Sequence, residues 1–305
     1  MPDRDQLLLA LDHVGLSVRD LERARVAYER LGFTLSPRSM HSGSIEPGGP
    51  VIPWGSGNHC AMFGRGYFEV LGLVNQDMPS NVKAMLEKYE GLHIVAMTCA
   101  SADDAYLELK SANVPAAAPI SLERDAAFGP NNESIRRARF RNVYLDAGAF
   151  PEARFIVIEH RTRDVLWQPH LLDHPNGAEA LGSVYFCVPD VARTKDRFAA
   201  LLGSCGDDAG RTSFSLHPGK FWVLSEAEIR KHVPVLRSGV INRVAAAGIA
   251  VASLEALRSF FNRQGVTYTE GPSLDSKTSI WVGPSDAYET ALAFFESEQD
   301  EGTQG

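Results

Sequence analysis

Leu11-Asp12-His13-Val14-Gly15-Leu16-Ser17-Val18, followed by Arg19-Asp20-Leu21-Glu22, is the stretch on which the fold turns. Side chains alternate along a strand, so Val14, Leu16 and Val18 share an apolar face. His13, Gly15 and Ser17 share the other face, which is small and polar around a histidine. Asp20 is placed as a helix N-cap, since its carboxylate accepts from free N–H groups of the first turn. Leu21, Ala24, Ala27, Tyr28 and Leu31 then recur at helical spacing as one apolar stripe, and Gly32 is the stop.

The unit recurs three times. Leu92-His93-Ile94-Val95-Ala96-Met97-Thr98 precedes Ser101, which with Asp104 has the form of a capping box. Ser183-Val184-Tyr185-Phe186-Cys187-Val188 precedes a helix over about 191–202 and Gly203, and Ala246 to Val251 precedes a helix over about 253–264 and Gly265. Strand-like pairs follow each helix, at 58–63 and 67–73, 138–145 and 154–160, 212–216 and 221–224, 278–282 and 290–295. A strand–helix–strands order repeated four times is an internal repeat. Only the first two copies carry a histidine at the second or third strand position, and His13 and His93 align on the strand with Ser183 and Ala246.

A chain of 305 residues suits two domains, expected over 1–178 (modules about 8–75 and 90–165) and 179–305. A net charge of −8 argues against nucleic acid, because phosphate binding needs clustered Lys and Arg. Nothing approaches a transmembrane span, and residues 1–6 are charged with no signal-peptide core. Cys60, Cys99, Cys187 and Cys205 form no CxxC pair and read as reduced thiols of a cytoplasmic protein. The tail 298–305 reads as disordered, 76–90 as a helical linker and 120–132 as loop. The irregular stretch 37–58 reads as a weak strand with either a pocket-bordering loop or a surface connector. Arg137, Arg139 and Arg141 alternate as a stripe, read first as a solvated edge and second as a cradle for an anionic substrate group.

Glu69 lies in an apolar strand and shares its face with Tyr67 and Leu71; a carboxylate taken into a core needs a partner or a cation. His59 reads as a hydrogen-bonded structural residue. Of Glu159 and His160, only one can point inward, by the period of two. The second half keeps the periodicity without the chemistry, with Trp222 where the first half has Glu69. Two histidines with one or two carboxylates, on strands of two similar modules, suit a divalent metal such as Zn, Fe(II), Mn, Ni or Co.

These residues resemble the vicinal-oxygen-chelate superfamily, which includes glyoxalases, extradiol dioxygenases and bleomycin-binding proteins, and within it the glyoxalase-like domain proteins. The resemblance is closest over 11–32, 57–72 and 154–178. It implies an α+β fold of four βαβββ modules forming two cup-like domains. It implies a metal held by His13, Glu69, His93 and either Glu159 or His160, with Glu69 and Glu159 as candidate catalytic carboxylates. Relatives with Gln-His at the last strand favour His160. The implied activity is a metal-dependent lyase or isomerase acting on a small oxygenated substrate. The alternatives are an Fe(II) extradiol-type dioxygenase and a non-catalytic small-molecule binder of the bleomycin-resistance kind. The degenerate second domain would cover the pocket, bind a ligand or make an oligomer, a homodimer being the partner expected.

Overall fold

The computed structural model describes residues 9–43, 49–208, 210–236 and 241–297. The expectations for 1–6 and for the tail 298–305 lie outside the described residues. The first module runs β1 (Ala10–Val18), α1 (Leu21–Arg30), β2 (Ser39–Gly43), β3 (Ile52–Met62) and β4 (Tyr67–Leu73). After a short helix α2 (Val82–Leu86) come β5 (Gly91–Thr98), α3 (Ala102–Ser111), β6 (Ile120–Phe128), β7 (Ser134–Tyr144) and β8 (Arg154–His160). A turn of helix α4 (Arg163–Leu166) and a 3-10 turn (Pro169–Leu171) lead to the third module. It comprises β9 (Ala178–Cys187), α5 (Val191–Leu202), β10 (Gly206–Asp208), β11 (Arg211–Leu216) and β12 (Gly219–Leu224). Helix α6 (Glu226–His232) precedes the fourth, with β13 (Arg243–Val251), α7 (Leu254–Gln264), β14 (Tyr268–Gly271), β15 (Ser279–Val282), α8 (Pro284–Ala287) and β16 (Ala291–Glu296).

The helix starts follow local chemistry. Asp20, Ser101, Asp190 and Ser253 each accept a hydrogen bond from the backbone N–H three residues on, and so cap α1, α3, α5 and α7. Gly32 adopts φ +85° after α1, a conformation open to glycine at low cost. No helix among the described residues is long and apolar enough to cross a membrane.

Each pair of modules builds one eight-stranded sheet. The orders are β2-β3-β4-β1-β5-β8-β7-β6 and β10-β11-β12-β9-β13-β16-β15-β14. In the first sheet β1 and β5 are antiparallel at the centre, flanked by β4 and β8 in parallel, so the modules are related by a pseudo-twofold between β1 and β5. The chain is α+β with four βαβββ modules in two such sheets, as the repeat predicts.

The apolar faces of both sheets, with Val14, Leu16, Val184 and Phe186, join the buried sides of the helices in one continuous core. The opposite faces gather separate clusters, so the cups open away from that shared core. The first cup is nearly closed. Arg124 of the edge strand β6 donates to the Ser39 hydroxyl of the other edge strand β2 at 2.6 Å. Val82 and Leu86 of α2 pack onto Leu71, Ile94 and Ile156 at one end of the cup. Val165, Leu166 and Leu171 pack onto Cys60, Met62 and Tyr67 at the other.

Three expectations need correction. Residues 120–128 form the edge strand β6, paired along its length with β7; an edge strand exposed on both faces loses the alternation that marks a strand. Only 82–86 of the expected 76–90 linker is helical. The irregular 37–58 stretch holds β2 and the start of the long strand β3. Arg137, Arg139 and Arg141 pair with Glu123, Asp125 and Asp103 at the surface, the solvated edge of the first reading.

Candidate functional site

The site begins with an irregularity in β1. Leu11 pairs with Met97 and His13 with Ala96, so Asp12 is an extra residue, a β-bulge. The bulge brings Asp12 and His13 to the cup together. One Asp12 oxygen meets His13 Nδ1 at 2.7 Å, and the other meets His160 Nε2 at 2.9 Å. Asp12 is 2% exposed. Burial alone would raise its pKa, but the two imidazoles more than reverse this and hold it well below the usual carboxylate range. An ionised carboxylate only accepts, so His13 carries its proton on Nδ1 and His160 on Nε2. Nδ1 of His160 is buried with no partner among the described residues.

The surroundings are aromatic on one side and polar on the other. The Tyr67 ring stacks on His13 with centroids 4.3 Å apart, and Trp167 meets both Tyr67 and His160 edge-on. Two residues along β4, Glu69 pairs in register with Gly15 and accepts from the Asn58 amide. A Cβ at Gly15 would lie 3.0 Å from the Glu69 carboxylate, so glycine makes room for it. His41 accompanies this group, bonded to Ser56 at 3.3 Å; burial pushes its pKa down and favours the neutral ring. Beside Tyr67 opens a small pocket bordered by Ser36, Cys60, Arg124 and Gln168 among others. The Cys60 thiol is pushed up to about 12, first by burial and then by Glu69, and stays protonated.

The remaining expected residues do not join this site. His93 lies three positions along β5 from Ala96, the partner of His13, which is about 10 Å of strand. Its ring stacks on Tyr89 at 3.8 Å and Nε2 bonds the Tyr89 carbonyl at 2.9 Å. Burial lowers its pKa to about 4. Glu159 points to the helix side of β8, accepts from the Ala102 N–H at 3.0 Å and pairs with Arg161. His160, its neighbour, points into the cup, as the period of two requires.

The misplacement of His93 has a countable cause. His13, Ser183 and Ala246 stand seven positions before their caps at Asp20, Asp190 and Ser253, whereas His93 stands eight before Ser101. The counterpart of His13 is therefore Ile94. His93 corresponds to Asp12, and each is the extra residue of a bulge. By the same symmetry Glu69, opposite Gly15, corresponds to Ile156, opposite Ala96. A ring drawn from His13, Glu69 and their pseudo-twofold mates thus closes on two isoleucines, which offer no lone pair to a metal. Among the described residues, no three His, Cys, Asp or Glu side chains come together in a geometry that would hold a metal ion. The donor set does not fit the divalent metal that the resemblance implies.

Other expectations are met in detail. His59 Nδ1 bonds the Ser36 carbonyl at 2.8 Å. His174 uses both nitrogens structurally, on Met62 and Thr34. All four cysteines are free. In the second sheet Trp222 holds the position of Glu69 and Ser183 that of His13, while Ala246, expected to match His93, holds the position of Ile94. Its cup is filled from within. Asp275, on the connection between β14 and β15, accepts from Ser183 at 2.7 Å, from Trp222 at 2.9 Å and from the Tyr185 hydroxyl. Asp12, Arg124 and Asp275 escaped the sequence reading. None of the three left a signal in the sequence: adjacency to His13 puts Asp12 on the opposite face until the bulge is known, and the other two are distant in sequence from their partners.

No curated protein matches the sequence. Solved structures match in fold. A hypothetical protein from Staphylococcus aureus superposes with TM-score 0.60 at 13% identity, over 95% of this chain and all of that one. A mutant of 4-hydroxymandelate synthase from Streptomyces coelicolor superposes with TM-score 0.56 at 12% identity, over 95% of this chain and 92% of that one. A xylose isomerase-like TIM barrel/4-hydroxyphenylpyruvate dioxygenase fusion protein superposes with TM-score 0.59 at 11% identity, over all of this chain and 51% of that one. The model of a family described as a glyoxalase-like domain matches residues 11–202, more than half of the chain, and with the two cup-shaped βαβββ sheets this establishes that the chain belongs to the glyoxalase-like family of the vicinal-oxygen-chelate superfamily.

Proposed function

We propose that this protein is an enzyme of the lyase or isomerase kind that moves a proton on a small oxygenated substrate in the first cup. His13 is the group that takes and returns the proton. The observation that carries the reading is the Asp12 carboxylate held between two imidazoles. A catalytic imidazole needs a partner that sets its tautomer and stabilises the cation it becomes. Asp12 is bonded at Nδ1, which leaves Nε2 of His13 as the basic nitrogen. Removal of a proton from the carbon beside a carbonyl sends the electron pair to the carbonyl oxygen. Return of the proton to the neighbouring carbon completes an isomerisation with no oxidant or reductant.

The expectation of a metal-dependent enzyme, with Fe(II) in its dioxygenase form, finds only His13 and Glu69 at ring positions suited to a ligand, and no step here runs through a metal. The non-catalytic binder is the second reading. The packing of Val165, Leu166 and Leu171 over one end of the cup favours it, since little of His13 reaches solvent. Free cysteines and negative charge support the expected reducing, cytoplasmic setting and a small-molecule partner.

The test is exchange of deuterium from D2O into hydroxyacetone and related hydroxy-ketones, followed by proton NMR with chelator-treated protein. Exchange should persist after chelation and fall about 100-fold or more in His13→Ala. Loss on chelation with recovery on adding Zn, Mn, Fe, Ni or Co would overturn the reading in favour of a metal centre. Binding without exchange would favour the second reading.

A further inference from the structure

We infer that the ligand of the first cup is a small amphipathic monocarboxylate, its anionic head on Arg124 and Tyr67 and its apolar body against Met62 and Val165. The inference rests on the preceding reading that the first cup is the ligand site.

The polar groups bordering the pocket can be accounted for one by one. Gln168 is saturated: its amide donates to the carbonyls of Ala127 and Val165, and its oxygen accepts from Gly129. The Ser36 hydroxyl accepts from the Cys60 N–H at 3.0 Å and is turned to its own chain. Cys60 is a protonated thiol, a weak donor at most. Two groups remain. The Tyr67 hydroxyl makes no hydrogen bond to the described residues, and burial, with Asp12 next in effect, pushes its pKa well up, so it stays a donor. Arg124 has one N–H bond, to Ser39, and lies over the Phe140 ring at 5.9 Å. No carboxylate among the described residues lies within ion-pair distance of it, whereas the neighbouring Arg137, Arg139 and Arg141 all have acidic partners.

A guanidinium turned into a pocket with donors to spare matches a planar carboxylate better than any neutral group. Glu69 in the same cup limits the charge. One guanidinium and one phenol beside a carboxylate favour a monoanion over a phosphate dianion. The remaining border, Met62, Ala126, Ala127, Val165, Leu166 and Leu171, is apolar and asks for a hydrocarbon body. The second cup offers a parallel within this chain. It seats a carboxylate, that of Asp275, on a phenol, a hydroxyl and an indole N–H between aromatic walls.

The test is isothermal titration calorimetry of the full chain with benzoate, phenylacetate and isovalerate, each against its primary amide. At least one acid should bind tenfold or more tighter than its amide. Arg124→Gln should bring that acid to the affinity of the amide, and Arg124→Lys should give an intermediate value. Circular dichroism melting of both variants verifies that they fold; Arg124 sits half-exposed on an edge strand, so they should. Ala126→Trp, which fills the pocket, should abolish binding of acid and amide alike. An acid preference that survives Arg124→Gln, or no acid preference at all, overturns the inference. If acid and amide bind equally and Ala126→Trp abolishes both, the inference falls while the cup reading stands. If Ala126→Trp leaves binding intact, the cup reading falls as well.

Discussion

Asp12 and Glu159 are both buried carboxylates, and their surroundings give them different work. Asp12 faces two imidazoles in a cup, where an ionised acceptor orients groups able to move protons. Glu159 faces a helix terminus, where it accepts from the first free N–H of α3 and balances the positive end of the helix. The period of two separates Glu159 from His160 on the same strand, so the open choice between them has a definite answer for direction: His160 inward, Glu159 outward. Glu159→Ala should then cost about 1 kcal/mol of stability, the usual loss of an N-terminal cap, and leave exchange at His13 unchanged. Urea denaturation beside the NMR assay checks this, and a variant that keeps full stability but loses activity would return Glu159 to a catalytic role.

At the scale of elements, what distinguishes the two sheets is the filling of their cups. In each, a glycine on a central strand admits a carboxylate: Gly15 admits Glu69, and a Cβ at Gly248 would lie 2.9 Å from Asp275. Glu69 comes from a strand of its own sheet and leaves a pocket beside it. Asp275 comes from a connection and closes the cup against Trp222, Tyr185 and Ser183, all fully buried. Asp275→Ala removes the shared acceptor of three buried donors, at roughly 1–3 kcal/mol for each group left unpaired. The melting temperature should drop clearly, and formate or acetate at tens of millimolar should restore part of it in the variant but not in the wild type, since a ligand that binds only the folded state stabilises it. Equal response of both proteins to acetate would show that the cup is no carboxylate site.

For the whole molecule, buried and half-buried histidines shape the response to acid. His41, His59, His93, His174 and His232 are all held below the ordinary imidazole value, in each case first by burial. A histidine with a lowered folded pKa is protonated first in the unfolded chain. Stability is therefore complete above about pH 6.5 and is lost as pH falls toward the folded value, about 4 for His93. The urea midpoint should fall steadily between pH 7.5 and 5, and His93→Gln, which can still donate to the Tyr89 carbonyl, should show a shallower fall. Parallel curves would mean that His93 is not coupled to folding.

The four modules, their helix caps and the apolar faces were legible in the sequence because each is a local matter. A cap acts within three residues, and a strand face repeats every two. Glu69 in its apolar strand, and the loss of chemistry in the second half, were visible for the same reason. The identity of the His13 site was not. The bulge at Asp12, the one-residue offset that gives Ile94 rather than His93 as the mate of His13, and the meeting of Arg124 with Ser39 across the cup depend on how distant strands pair. The offset alone left a trace, in the count from histidine to cap. A shift of one residue turns a side chain from one face of a sheet to the other, and that shift is decided by pairing between strands, which only the tertiary structure supplies.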